Sequence, residues 1–168
     1  SRPTRRPPTK SSHQAHPPGA ETIAERPVVE DVLSERNLEN RPRPGSKRVL
    51  VVDDNPTNLA LAKAILHGLN AEVVLADSGQ AALDACRWHR FNLIVMDLMM
   101  PGMGGLEVTR RIRRWAVNPN RDIPIIGMTG TASEQRAQHW KEVGMSECFV
   151  KPLSPAVMRA VFRKWGIA

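Results

Sequence analysis

The sequence of 168 residues has no tyrosine, only three phenylalanines and only two cysteines. Cys86 and Cys148 are too few and too far apart for a disulfide framework or a zinc knuckle, and a reducing, cytoplasmic compartment is their simplest setting. The shortage of aromatic rings removes the stacking platforms on which single-stranded nucleic acid is held. No stretch approaches the ~18 uninterrupted apolar residues of a membrane span, and no signal-peptide pattern opens the chain. This segment is therefore expected to make no membrane contact, even if a parent protein is membrane-anchored. The first residue is Ser, which suits a piece of something longer.

The net charge of +7 raises the question of nucleic acid. Residues 1–46 carry eight basic and six acidic side chains and the remainder sixteen and eleven, so the excess is spread along the chain. Only Arg110-Arg111-Ile112-Arg113-Arg114 is dense. On a helix such a run reads as a solvated face before it reads as a phosphate-binding patch, and no nucleic-acid partner is expected.

Eight of the fourteen prolines lie in residues 1–46. That composition buries too little apolar area to offset ordering entropy, which predicts a disordered linker. Val28, Val29, Val32 and Leu33 share one helical face, allowing a short transient helix over 28–38. From Lys47 the texture changes. The pattern predicts strands at 49–52, 73–75, 93–96, 124–128 and 148–150. Helices are predicted from Pro56 to about His67, from the Ser78 cap to about Trp88, over about 105–115, from the Thr131 cap to about Val143, and from Pro155 to the end. The last carries Val157, Met158, Val161, Phe162 and Trp165 inward. Such alternation predicts an α/β fold: a doubly wound (βα)5 flavodoxin-like sandwich with a parallel sheet in the order 2-1-3-4-5.

The stretch Leu93-Ile94-Val95-Met96 reads as a strand covered on both faces, running directly into Asp97. An aspartate there is a metal ligand, a nucleophile or a strand cap. In the predicted strand order Asp53 and Asp54, after the first strand, join Asp97 in one crevice. At roughly 4 Å and an effective dielectric near 20, each pair of carboxylates repels by about 4 kcal/mol, and a hard divalent cation such as Mg2+ offsets this. Thr129 and Lys151 end the fourth and fifth strands and add a hydroxyl and an ammonium. Around one open position, these groups suit phosphoryl transfer to an aspartate. His67, His89 and His139 have no metal-ligand spacing, Trp88, Trp115, Trp140 and Trp165 read as packing residues, and Cys148 reads as a small buried apolar group.

Val52-Asp53-Asp54-Asn55, Met96-Asp97 through Met100-Pro101, Gly105-Leu106-Glu107, Thr129 and Lys151-Pro152 together resemble the receiver domain of two-component response regulators, over about residues 47–166. The resemblance implies a receiver domain at 47–168 in which Asp97 accepts phosphate from a histidine kinase or a histidine phosphotransfer domain. It implies Mg2+ held by Asp53, Asp54, Asp97 and the backbone carbonyl of Met99, phosphoryl contacts from Thr129 and Lys151, and a cis Lys151–Pro152 bond. Such a domain catalyses only its own phosphorylation and dephosphorylation and switches a protein-interaction surface. The Asn55-Pro56-Thr57-Asn58 run and the Pro-rich segment upstream are most like a carboxyl-terminal receiver of a hybrid sensor histidine kinase, monomeric in isolation.

Departures from the family pattern stand beside the match. Cys148 occupies the usual aromatic position, and strand alternation sends Phe149 to the other face. Gly104 and Gly130 replace larger residues beside the site, and Met99 and Thr131 stand where autodephosphorylation is tuned. Two other functions remain open at this level: a hydrolase with an aspartyl-phosphate intermediate, and a docking or autoinhibitory module that works without phosphorylation. Met99, where such phosphatases need an acid, counts against the hydrolase. With no helix-turn-helix after residue 166, a DNA-binding regulator is disfavoured.

Overall fold

The computed structural model describes residues 45–167. The expected linker over 1–46, but for its last two residues, and the expected helix at 28–38 lie outside the described residues. Ten elements alternate along the chain: β1 (Lys47–Val52), α1 (Pro56–His67), β2 (Ala71–Ala76), α2 (Gly79–Trp88), β3 (Leu93–Asp97), α3 (Gly105–Arg114), β4 (Ile125–Thr129), α4 (Ala132–Ala137), β5 (Glu147–Val150) and α5 (Pro155–Lys164). The strands form one parallel sheet in the order β2-β1-β3-β4-β5.

Local chemistry starts the helices where the sequence predicts. The Asn55 side chain accepts the Thr57 N–H ahead of Pro56, and Ser78, Thr131 and Ser154 each accept an N–H three residues on. Strand alternation then divides the apolar side chains between two cores. On one face Val49, Val51, Leu93, Val95 and Met128 meet Leu59 and Leu66 of α1 and Met158 and Phe162 of α5. On the other, Leu50, Val52, Ile94 and Met96 meet Ala82 and Cys86 of α2 and Val108 and Ile112 of α3. β3 and β4 are buried throughout, as central strands of a covered parallel sheet must be.

Three sequence expectations need correction. α4 stops at Ala137, six residues before Val143: Gln138 turns to an extended conformation (φ −83°, ψ 137°) and no α4 residue is buried. Without an apolar face on the sheet, nothing prolongs the helix past the reach of its cap. The chain instead folds back, the Trp140 indole donating to the Gln135 carbonyl at 3.2 Å. Trp165 does not face inward but is 37% exposed, and Trp88 is 77% exposed, so packing does not account for it. Trp115 and Trp140 do pack against the second core.

The asparagines of the α3–β4 connection were silent in the sequence. Asn120 accepts the Phe91 N–H at 2.7 Å and donates to the His89 carbonyl, while Asn118 donates to the Cys86 carbonyl. They satisfy backbone groups left over where α2 leads into β3. Arg113 similarly donates to the carbonyls of Arg121, Ile123 and Gly144.

Candidate functional site

The parallel register places the carboxyl ends of β1 and β3 side by side, Val52 opposite Met96. The residues that follow, Asp53 just past the end of β1 and Asp97 at the last position of β3, stand at the carboxyl edge of the sheet. Asp53 is only 5% exposed; its Oδ1 accepts the Asn55 N–H at 2.9 Å and its Oδ2 the Lys151 ammonium at 2.9 Å. Asp97 is 3% exposed, with Oδ1 accepting the Met99 N–H at 3.2 Å and Oδ2 lying 3.3 Å from Lys151 Nζ. Asp54 is exposed to solvent, and one carboxylate oxygen from each of Asp53, Asp54 and Asp97 falls within 4.8 Å of the others. The three acids singled out in the sequence thus converge.

Lys151 reaches them from the end of β5, where its N–H donates to the Thr129 carbonyl at 2.7 Å and its bond to Pro152 is cis. A crevice opens beside Asp53, Asp97 and Lys151, walled by Asn58 and Leu61 of α1 and by Leu153. Asn58 and Leu61 had no signature in the sequence as wall residues, since both sit on a helix whose periodicity reports only its core face.

Electrostatics follows from this crowding. Burial, then the neighbouring Asp53 carboxylate, pushes the Asp97 carboxyl up to about 6, against the opposing pull of Lys151 and the Met99 N–H. Burial alone would lower Lys151, but its hydrogen bond to Asp53 and the charges of Asp97 and Asp53 carry it above its ordinary value. Three carboxylates against one ammonium leave an uncompensated negative charge, and every donor is a hard oxygen. That donor set suits a small divalent cation with room for water or phosphate oxygens.

Thr129 and Met99 stand differently. Thr129 is fully buried, and its hydroxyl donates to the Thr131 carbonyl at 3.1 Å, not to the carboxylates. That carbonyl also accepts the Gln135 N–H at 3.0 Å, so the hydroxyl is tied to the first turn of α4. Met99 carries an exposed side chain, and its backbone N–H is engaged by Asp97. At the departure from the family pattern, Cys148 lies in the second core and Phe149 packs on the first. The Cys148 carbonyl accepts the Gln135 amide at 2.5 Å, a tie between α4 and β5 with no sequence signal.

Residues 49–163 match the family model for the response regulator receiver domain. The chain is 37% identical over 154 residues to the sensor protein GacS of Pseudomonas syringae pv. syringae, covering 89% of this chain and 16% of that protein. It is 37% identical over 156 residues to the virulence sensor protein BvgS of Bordetella pertussis, covering 89% of this chain and 11% of that protein. The chain thus spans less than a fifth of the length of these relatives. Among solved structures, it resembles the receiver domain of sensor histidine kinase PA1611 from Pseudomonas aeruginosa, which has a magnesium ion in its active-site cleft. The TM-score is 0.66 at 29% identity, over 73% of this chain and 99% of that one. The response regulator TrrA of Thermotoga maritima, in complex with Mg(2+)-BeF, matches with a TM-score of 0.62 at 30% identity, over 71% of this chain and 98% of that one. The match in sequence, strand order and acidic cleft leads to one statement: the chain belongs to the response regulator receiver domain family of two-component signalling.

Proposed function

We propose that Asp97 is the phosphoacceptor of a phosphorelay, taking its phosphoryl group from the phosphohistidine of a histidine kinase or histidine phosphotransfer domain. The observation that carries this reading is the convergence of Asp53, Asp54, Asp97 and Lys151 on one crevice at the carboxyl edge of the sheet. An Asp97 carboxylate oxygen attacks phosphorus, the N–P bond of the phosphohistidine breaks, and the freed imidazole takes up a proton. Lys151, already 3.3 Å from Asp97, balances negative charge on the acyl phosphate. Asp53 holds Lys151 in place, and Asn55, through its N–H, holds Asp53. Thr129 would turn from the Thr131 carbonyl to the phosphoryl oxygens, which frees a contact at the start of α4.

Asp53, Asp54 and Asp97, with the Met99 backbone carbonyl, would hold Mg2+. When bound, the ion supplies positive charge that relieves the carboxylate repulsion and neutralises the transferring group. The added phosphate carries up to about two negative charges, enough to bias a two-state element. The domain bounds proposed are 47–168, within a hybrid sensor kinase on the cytoplasmic side, the domain itself being monomeric. The two buried, unpaired cysteines suit that reducing setting.

Incubation with acetyl phosphate and Mg2+, followed by intact mass spectrometry, tests the reading. One added phosphoryl group, lost in Asp97→Asn and on chelation of Mg2+, is expected. Continuous turnover of a generic phosphate ester, or labelling that survives Asp97→Asn, would overturn it.

A further inference from the structure

The arginine run of α3 is not used by the phosphoacceptor site, and the fold gives it a specific neighbour. α2 and α3 lie side by side over the second core, and a groove between them is lined by Arg87, Arg110, Arg111 and Arg114, with Leu83 and Trp115 and a single carboxylate, Glu107. Glu107 accepts from Arg110 at 2.5 Å and from Arg111 at 3.1 Å, which fixes two guanidinium forks in place without cancelling the groove's charge. Arg87 lies 6.0 Å from the Trp115 ring centroid. Among the described residues, neither Arg87 nor Arg114 has a carboxylate within salt-bridge distance, although both are exposed. Trp88, the last residue of α2, and Val117, three residues past the end of α3, are the most exposed large apolar side chains of the described chain, at 77% and 89%.

We infer that the α2–α3 groove is a docking surface for an acidic, amphipathic helix of a protein partner, its carboxylates meeting Arg87, Arg110, Arg111 and Arg114 and its apolar edge meeting Leu83, Trp115 and Trp88. Four guanidinium groups facing one carboxylate select an acidic occupant, and planar forks match carboxylates in pairs. The apolar floor and the exposed tryptophan select an amphipathic one, since Trp and Arg anchor protein interfaces. A polynucleotide is a poorer fit: the charge is confined to one groove instead of a stripe, and Arg87 already lies over the indole of Trp115. The groove is floored by the core on the α2–α3 side, away from α1 and the crevice beside Lys151. Docking there is therefore separable from phosphorylation.

The test uses the full chain and a fluorescein-labelled synthetic peptide with leucines at i, i+3, i+4 and i+7 and glutamates elsewhere, read by anisotropy. Binding should weaken as salt rises, and charge reversal in Arg87→Glu/Arg114→Glu should lower affinity by roughly tenfold or more. Trp88→Ser, at an exposed position, should lower it several-fold with circular dichroism unchanged. Labelling of Asp97 by acetyl phosphate should be unaltered in both variants, and Asp97→Asn should bind the peptide as the parent does. Equal affinity of parent and variants overturns the proposal. So does equal binding of a scrambled peptide of the same composition, which would leave only bulk charge. Tighter binding of a single-stranded oligonucleotide of matched charge, lost in the same variants, would assign the groove to nucleic acid instead.

Discussion

Asp97 is held where its charged form is disfavoured, and this has a pH signature. Its carboxyl is raised from 3.8 to about 6, so the folded chain keeps that proton to higher pH than the unfolded chain does. The associated stability is fully present below about pH 4 and is lost as pH rises through 6, by at most about 3 kcal/mol at ~1.4 kcal/mol per unit. Urea titrations from pH 4 to 7 in chelator should show this decline, and Asp97→Asn should flatten it and be the more stable protein near neutrality. The cysteines give a second outcome. Burial pushes Cys86 up to about 12 and Cys148 up to about 11, so neither offers thiolate at neutral pH. A thiol reagent should leave both unmodified in the native chain and label both in denaturant. Asp53, Asp97 and Lys151 were legible in the sequence because each follows directly on an apolar strand. The Thr129 hydroxyl was not: its position is readable, but which acceptor it chooses depends on a loop whose path the sequence does not disclose.

Among the elements, α3 and α4 differ most in how firmly they are seated. Gly105, the first residue of α3, approaches the sheet so closely that a Cβ there would run into the Asp97 carbonyl oxygen and the Met96 side chain. Alanine ordinarily favours a helix over glycine by about 1 kcal/mol, but overpacking here reverses the sign. Gly105→Ala should lose roughly 1–3 kcal/mol in chemical denaturation and slow acetyl phosphate labelling, because the displaced carbonyl belongs to the proposed acceptor, Asp97. α4 has only six residues, none of them buried. Its amides should exchange with solvent far faster than those of β3 and β4, as hydrogen-exchange mass spectrometry can resolve. Helix starts were legible in the sequence because caps are local chemistry. The Thr131–Glu134 pair marks the start of α4 correctly, although Glu134 returns its bond to the N–H of Gly130. The end of α4 was not legible, since a helix without an apolar face is cut by tertiary contacts. The exposure of Trp88 was hidden for a related reason: a tryptophan at a helix end reads as packing until the partner surface is known to stop short of it.

For the whole molecule, strand order and layer assignment were the most legible features. Five alternating units leave few arrangements once right-handed crossovers are required, and the side chains of β1 alone divide cleanly between the two cores. A cation that binds only the folded chain must stabilise it by mass action, so millimolar Mg2+ should raise the midpoint of thermal unfolding, and Asp53→Asn/Asp54→Asn should lose that response. Asp53 and Lys151 are 98 residues apart in sequence yet 2.9 Å apart in space. The acids stand at the carboxyl ends of the first and third strands, and their ammonium directly follows the last strand. A chain still emerging from the ribosome, with β5 unmade, would carry a mutually repelling acidic trio with no counter-ion of its own. Only completion of the final strand brings the Lys151 ammonium to that trio, so the charge balance of the crevice waits on the last strand of the sheet.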